Sequence, residues 1–238
     1  MNKILFTFPG QGAQIPGMLH ELDRQGEHGQ LLRQASDILG EDVMTLDTPQ
    51  ALERTRAVQL CILIAGVASA SWLIARKAVP DFVSGLSIGA FPAAVVSGAL
   101  DFADALRLVS LRGELMEKAA PAGYGLCAIG GLPDRTVQTL VDAVCATASP
   151  VYLANINASD QFVIAGSDDA MKKVLDMARE KGATKTDRLA VAVPSHCPLL
   201  ADAARFLHDA IGQVTFRRPA IAYLSGSTGR VLWQPQRI

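Results

Sequence analysis

Four short stretches hold the residues that could do chemistry in this chain. The first is Gly85-Leu86-Ser87-Ile88-Gly89, between a short apolar run, Phe82 to Ser84, and a stretch rich in Ala and Val. Strand, Gly-x-Ser-x-Gly, helix is the arrangement of a nucleophile elbow. Glycines two residues either side of the serine relieve clashes in so tight a turn. The turn holds Oγ clear of the backbone, and the next amide, that of Ile88, points toward a developing oxyanion. The same five residues also suit a plainer purpose, small side chains letting a strand and a helix pack closely.

Three further stretches bear on that choice. Phe8 to Gln14, FPGQGAQ, directly follows the first apolar run. In a parallel sheet the loops at the carboxyl ends of the strands share one edge, so this loop can face the serine turn. Gly10 and Gly12 would let the backbone around Gln11 approach a ligand and donate a second N–H to an oxyanion. An ordinary glycine turn explains it too. Arg112 has Leu108, Val109, Leu115 and Met116 as its helical neighbours, all apolar. A guanidinium on an apolar stripe needs an anion, a route to solvent or a structural carboxylate. His196 sits in the Pro-flanked turn of VAVPSHCPLL, Val191 to Leu200, where it can serve as general base or hold a structural hydrogen bond. His20 and His28 lie in a polar stretch and His208 beside Asp209, poorer settings for a base.

The elements that must position these residues alternate. Ile4 to Phe8 reads as a strand, Gly29 to Leu39 and Pro49 to Lys77 as helices, Phe82 to Ser84 as a strand and Ile88 to Ser97 as a helix. Asp101 caps a further helix running to about Ala120. The alternation predicts an α/β fold with a mainly parallel sheet. From Tyr124 to Leu189 the order becomes β-α-β-β-α-β, that of a ferredoxin-like unit inserted in the core. The expected domains are therefore an α/β core of residues 1–123 and 190–238 and a ferredoxin-like subdomain of residues 124–189.

Composition narrows the partners. Half of the 238 residues are hydrophobic and 19% charged, which supports a sizeable core. A net charge of −1 and the lack of any basic run argue against nucleic acid and anionic membrane. Cys61, Cys127, Cys145 and Cys197 are scattered with no Cys-x-x-Cys pair, which fits reduced cytosolic thiols rather than disulfides or zinc. Only Ile4 to Phe8 follow Lys3 before Pro9-Gly10, too short a run for a signal peptide. Leu60 to Ala75 is apolar, but a helix buried on all sides accounts for it better than a membrane span. The expectation is a soluble, cytoplasmic protein.

In order and spacing, FPGQGAQ with Gly17-Met18, Gly-x-Ser-x-Gly, LRGELM around Arg112, NINASDQFVIAG and VPSHC resemble the malonyl-CoA:acyl-carrier-protein transacylases over nearly the whole chain. That resemblance implies a hydrolase-like α/β core with a nucleophile elbow and an acyltransferase activity. It makes Ser87 the nucleophile and His196 its base. It further assigns the amides of Gln11 and Ile88 to the oxyanion hole, and Arg112 to the free malonyl carboxylate. Malonyl-CoA is then the substrate and an acyl carrier protein the partner, with no bound cofactor and no metal.

The family's usual elbow is Gly-His-Ser-x-Gly-Glu, whereas Leu86 and Ala90 stand here. In this the stretch looks most like the epsilon subunit of malonate decarboxylase, a malonyl transferase. There the carrier bears a dephospho-CoA-type arm rather than phosphopantetheine, and other decarboxylase subunits become partners. The alternatives are a transacylase of fatty-acid or polyketide synthesis and, in another class, a non-catalytic subunit that docks a carrier protein. The family pattern also runs on for several dozen residues past GRVLWQPQRI. That segment closes the core and supplies the carbonyl that orients the catalytic histidine. The core is thus expected to be truncated, with Trp233 and Ile238 exposed.

Overall fold

The computed structural model describes residues 3–22, 26–119 and 122–238. In chain order the main elements are β1 (Leu5–Phe8), α1 (Gly26–Leu39), α2 (Thr55–Ala75), β2 (Phe82–Gly85), α3 (Ala90–Val96) and α4 (Phe102–Ala119). Then follow β3 (Tyr124–Gly130), α5 (Asp134–Val144), β4 (Val151–Ala158), β5 (Gln161–Ser167), α6 (Asp168–Glu180) and β6 (Lys185–Arg188). The chain closes with α7 (Ala201–Ile211), β7 (Ala222–Leu224) and β8 (Val231–Leu232). Chain contacts divide it into two compact units, Met1–Glu114 with Leu207–Ile238, and Leu115–Phe206.

The first unit carries a four-stranded sheet in the order β1-β2-β7-β8. β1, β2 and β7 run parallel, with Phe8 opposite Gly85 and Ser84 opposite Leu224, and only the short β8 is antiparallel. α2 is apolar on almost every face because it is the core helix: Leu60, Cys61, Leu63 and Ile64 are fully buried. It is also the one helix among the described residues long and apolar enough to cross a membrane, and most of it is already covered by protein. It starts at Thr55 rather than Pro49, because a 3₁₀ turn, Ala51–Glu53, and an extended Arg54 intervene. Asp101 directly precedes α4, yet its carboxylate is gripped by both Nη atoms of Arg217 at 2.8 Å each. Near the chain end Trp233 is exposed as expected, but Ile238 is not: a 3₁₀ turn, Pro235–Arg237, folds it back onto the core.

The second unit holds the β-α-β-β-α-β order in an antiparallel sheet, β4-β5-β3-β6. α5 and α6 supply its apolar layer through Val137, Leu140 and Val141, and through Ala170, Met171, Val174, Leu175 and Ala178. Both sets follow the 3.6-residue helical repeat. Ser167 caps α6 by accepting from the Ala170 amide, which satisfies one of the helix's orphan donors. The unit reaches beyond residues 124–189, because Leu115, Met116 and Ala119 at the end of α4 pack with Val193, Leu200 and Ala203. The extended run expected from Thr184 to Val193 is a strand only to Arg188; residues 189–197 are irregular.

Candidate active site

Ser87 stands where β2 ends and the helical turn Ser87–Gly89 begins, and that turn leads straight into α3. Its φ is +54°, a left-handed conformation that costs a side-chain-bearing residue roughly 1–3 kcal/mol. The two flanking glycines are required by space. A Cβ on Gly85 would sit 2.0 Å from the Gly89 carbonyl oxygen, and one on Gly89 would sit 2.3 Å from the Phe8 carbonyl oxygen. The elbow thus closes on itself and against the end of β1, which only glycine at both positions allows.

The loop after β1 is tied to the same turn. The Leu86 amide donates to the Phe8 carbonyl at 3.0 Å, and Gly10 lies against Leu86. Gln11 and Gly12 form a tight turn in which Gly12 has φ +110° and its amide donates to the Gln14 side chain at 2.7 Å. The Gln11 loop and the Ser87 turn are therefore neighbours at the carboxyl ends of two adjacent parallel strands. Ile88 is fully buried, and its amide falls in the first turn of a helix, where donors lack intrahelical acceptors.

Arg112 reaches the same place from α4. Its Nη2 donates to Ser87 Oγ at 3.3 Å, so it neither runs to solvent nor joins a structural carboxylate. Burial pushes its pKa down to about 10, leaving it protonated at neutral pH. Arg107, one turn earlier, is an exposed residue paired with Asp104. A strained serine with a buried cation on its hydroxyl can accept an acyl group whose far end carries a negative charge.

Two residues that sequence reasoning passed over set the position of Arg112. Arg56, near the start of α2, donates from Nε to Ser110 Oγ at 2.8 Å and from Nη2 to Glu41 at 2.5 Å. Its backbone lies so close to α4 that a Cβ on Gly113 would come within 2.4 Å of the Arg56 Cα. A glycine inside an otherwise regular helix was the available signal, since it costs about 1 kcal/mol there and marks a close approach.

His196 belongs to the second unit, on the irregular stretch between β6 and α7. It is exposed and has φ +60°, the third non-glycine residue in the left-handed region among the described residues, after Lys77 and Ser87. Its neighbours are held locally: the Ser195 amide donates to the Val193 carbonyl at 2.9 Å, and Cys197 Sγ to the Pro194 carbonyl at 3.1 Å. Among the described residues no cluster of His, Cys, Asp and Glu could hold a metal ion.

Comparison with known proteins places this geometry. Residues 5–235 match the acyl transferase domain family. The malonyl CoA-acyl carrier protein transacylase of Haemophilus influenzae is 36% identical over 94% of this chain and 74% of its own length. That of Bacillus subtilis is 32% identical over 98% and 75%. The solved structure of the malonyl CoA-acyl carrier protein transacylase of Coxiella burnetii superposes with a TM-score of 0.92 at 33% identity, over 99% of this chain and 76% of the other. A malonyl-transacylase solved with a type II PKS acyl-carrier protein gives 0.91 at 32%, over 99% and 78%. The chain spans about three quarters of the relatives it matches. With the serine turn, the Gln11 loop and the buried arginine on one α/β core, this chain belongs to the acyl transferase family, in its malonyl-CoA:acyl-carrier-protein transacylase branch.

Proposed function

We propose that the chain moves a malonyl group from malonyl-CoA to the thiol of an acyl carrier protein, through a malonyl ester on Ser87. One observation carries the reading: Arg112 Nη2 lies 3.3 Å from Ser87 Oγ. A charged hydrogen bond to the free malonyl carboxylate would contribute about 1.5–3 kcal/mol and separate malonyl from acetyl.

In this cycle His196 takes the Ser87 proton as Oγ attacks the thioester carbonyl. The amides of Gln11 and Ile88 receive the oxyanion, and loss of one such donor slows a reaction of this kind about 10²–10³-fold. The tetrahedral intermediate collapses to the ester, and coenzyme A leaves as a thiol with the proton His196 returns. The carrier thiol then gives its proton to His196 and attacks the ester, restoring Ser87. No bound cofactor takes part, and the cycle runs in the cytoplasm.

Leu86 and Ala90, in place of the usual elbow His and Glu, favour the carrier of malonate decarboxylase, with its dephospho-CoA-type arm. The second reading is a carrier of fatty-acid or polyketide synthesis with a phosphopantetheine arm, and the names of the relatives favour it. Intact-mass measurement after malonyl-CoA tests nucleophile and substrate together: the wild type gains a malonyl mass and Ser87→Ala gains none. A wild-type protein without the gain, or a Ser87→Ala protein that keeps it, overturns the proposal. Transfer rates to the two carrier arms then separate the two readings.

A further inference from the structure

The chain that leads to His196 leaves the sheet at Arg188. Backbone bonds hold it only at intervals: the Leu189 amide donates to the Leu126 carbonyl at 2.9 Å and the Val191 amide to the Leu189 carbonyl at 2.8 Å. Arg188 adds side-chain donors to both of these carbonyls and to that of Val191, a buried-segment acceptor that must also be satisfied. Its Nη1 spans the carbonyls of Leu189 at 2.7 Å, Val191 at 2.9 Å and Leu126 at 3.1 Å. Its Nη2 donates to the Tyr124 carbonyl at 2.9 Å, and its Nε to Asp168 Oδ1 at 3.0 Å. Although the side chain is 40% exposed, all three nitrogens are engaged.

The seat is built for this guanidinium. A Cβ on Gly125 would lie 2.1 Å from Nη2 and 2.5 Å from the central carbon, so only glycine leaves room for it on β3. The planar fork lies over the Gly125 backbone with the Tyr124 and Leu126 carbonyls as its acceptors on either side. A lysine ammonium cannot span so many acceptors in one plane. The held segment continues directly into the packing that frames His196. Val191 and Leu189 pack in one apolar cluster with Leu126, Val163, Ala165 and Cys197, and Val193 packs in another with Leu200. His196, at φ +60°, is a strained residue that persists only where its surroundings over-determine it.

We propose that Arg188, seated on Gly125, is a positioning residue: it fixes the carbonyls of residues 189 and 191 and so aims the imidazole of His196. The inference rests on His196 being the general base of the proposed cycle. Misplacing a catalytic group by about 1 Å can cost on the order of 10²-fold in rate.

A double-mutant cycle on the full chain tests it, with malonyl-CoA as acyl donor and the rate of malonyl-Ser87 formation as readout. Arg188→Met is expected to slow acylation on the order of 10²-fold with KM changed less than about twofold. Arg188→Lys recovers part of the loss, and Arg188→Met slows nothing further in a His196→Asn background. If Arg188→Met does not fold by circular dichroism, Arg188→Lys, expected to lose about tenfold, replaces it in the same cycle. The proposal is overturned if the arginine variant acylates at the wild-type rate, or if its loss is repeated in full on top of His196→Asn. A His196→Asn protein that acylates normally overturns the base assignment itself, a different failure.

Discussion

Arg112 Nη2 donates to Ser87 Oγ at 3.3 Å, across 25 positions of sequence, in a fold that offers the guanidinium no carboxylate among the described residues. The bond is slightly longer than most N–H···O contacts, and a hydroxyl does not neutralise a charge. The site therefore holds a partly buried cation beside a strained hydroxyl, and under the proposed function a substrate carboxylate supplies its counter-charge.

Replacing that cation should alter specificity and stability in opposite directions. Burial holds the Arg112 pKa down at about 10, well below the usual guanidinium range, so the charged form costs the fold up to roughly 3 kcal/mol at about 1.36 kcal/mol per unit. The sign follows from a cation whose folded pKa is depressed. The cost is fully present below pH 10 and disappears only as pH climbs to the range where a free guanidinium loses its proton. After lost packing is allowed for, Arg112→Met should raise Tm by roughly 2–4 °C at pH 7. The variant should also shift preference from malonyl-CoA toward acetyl-CoA. Differential scanning calorimetry and competitive acylation measure the two effects. A variant that still rejects acetyl-CoA would sink the specificity role.

The turn itself stores strain that can be released. Ser87 at φ +54° has no need of a Cβ except to carry its oxygen, so Ser87→Gly should be more stable than Ser87→Ala by roughly 1 kcal/mol. Neither variant should form an acyl-enzyme. Equal urea midpoints for the two would show that the conformation is unstrained.

Gly113 lets α4 approach α2 closely enough to bring Arg112 over the serine. Adding one methyl, Gly113→Ala, places a Cβ 2.4 Å from the Arg56 Cα and must move one helix. Overpacking of this kind costs about 1–3 kcal/mol. The expected outcome is a lower urea midpoint and a reduced malonyl-to-acetyl ratio, although position 113 touches no substrate. An unchanged ratio in a destabilised protein would confine Gly113 to packing.

The thiols should react in a set order. Burial, with Asp47 adding to it, pushes the Cys61 thiol up to about 12, and burial pushes Cys127 up to about 11. Cys197 is raised as well, again by burial, while Cys145 is exposed. Raised values mean less thiolate, the reactive form, so at pH 8 iodoacetamide should modify Cys145 first and leave Cys61 and Cys127 untouched. Peptide mapping of the native protein reads this directly. Early labelling of Cys61 would contradict the buried α2 core.

Much of this molecule was legible in near neighbours. Gly-Leu-Ser-Ile-Gly after an apolar run specifies a turn whose glycines have no substitute, and the structure shows the clashes that enforce them. The alternation of strand and helix predicted a mainly parallel sheet, and the change of order after Tyr124 predicted the ferredoxin-like unit. The apolar run from Leu60 to Ala75 was legible as a core helix, and it is mostly covered through Ala70, while Trp72 and Leu73 near its end are exposed. Arg112, flanked by apolar residues, announced that it needed a partner.

What pairs with what across long separations was decided only by the fold. Sequence left Arg112 three destinations, an anion, solvent or a structural carboxylate, and the close packing of α4 on Arg56 set it instead on the Ser87 hydroxyl. Asp101 had the position of a helix cap, yet Arg217, 116 residues away, claims its carboxylate because both side chains meet on the surface. Arg188 carries no local signal of its role, and only the fold sets Gly125 of β3 beneath it. Turn chemistry and periodicity act over a few residues and are written into the sequence directly. The partner of a buried charge is set by which helices pack and how closely, and that depends on the whole core at once.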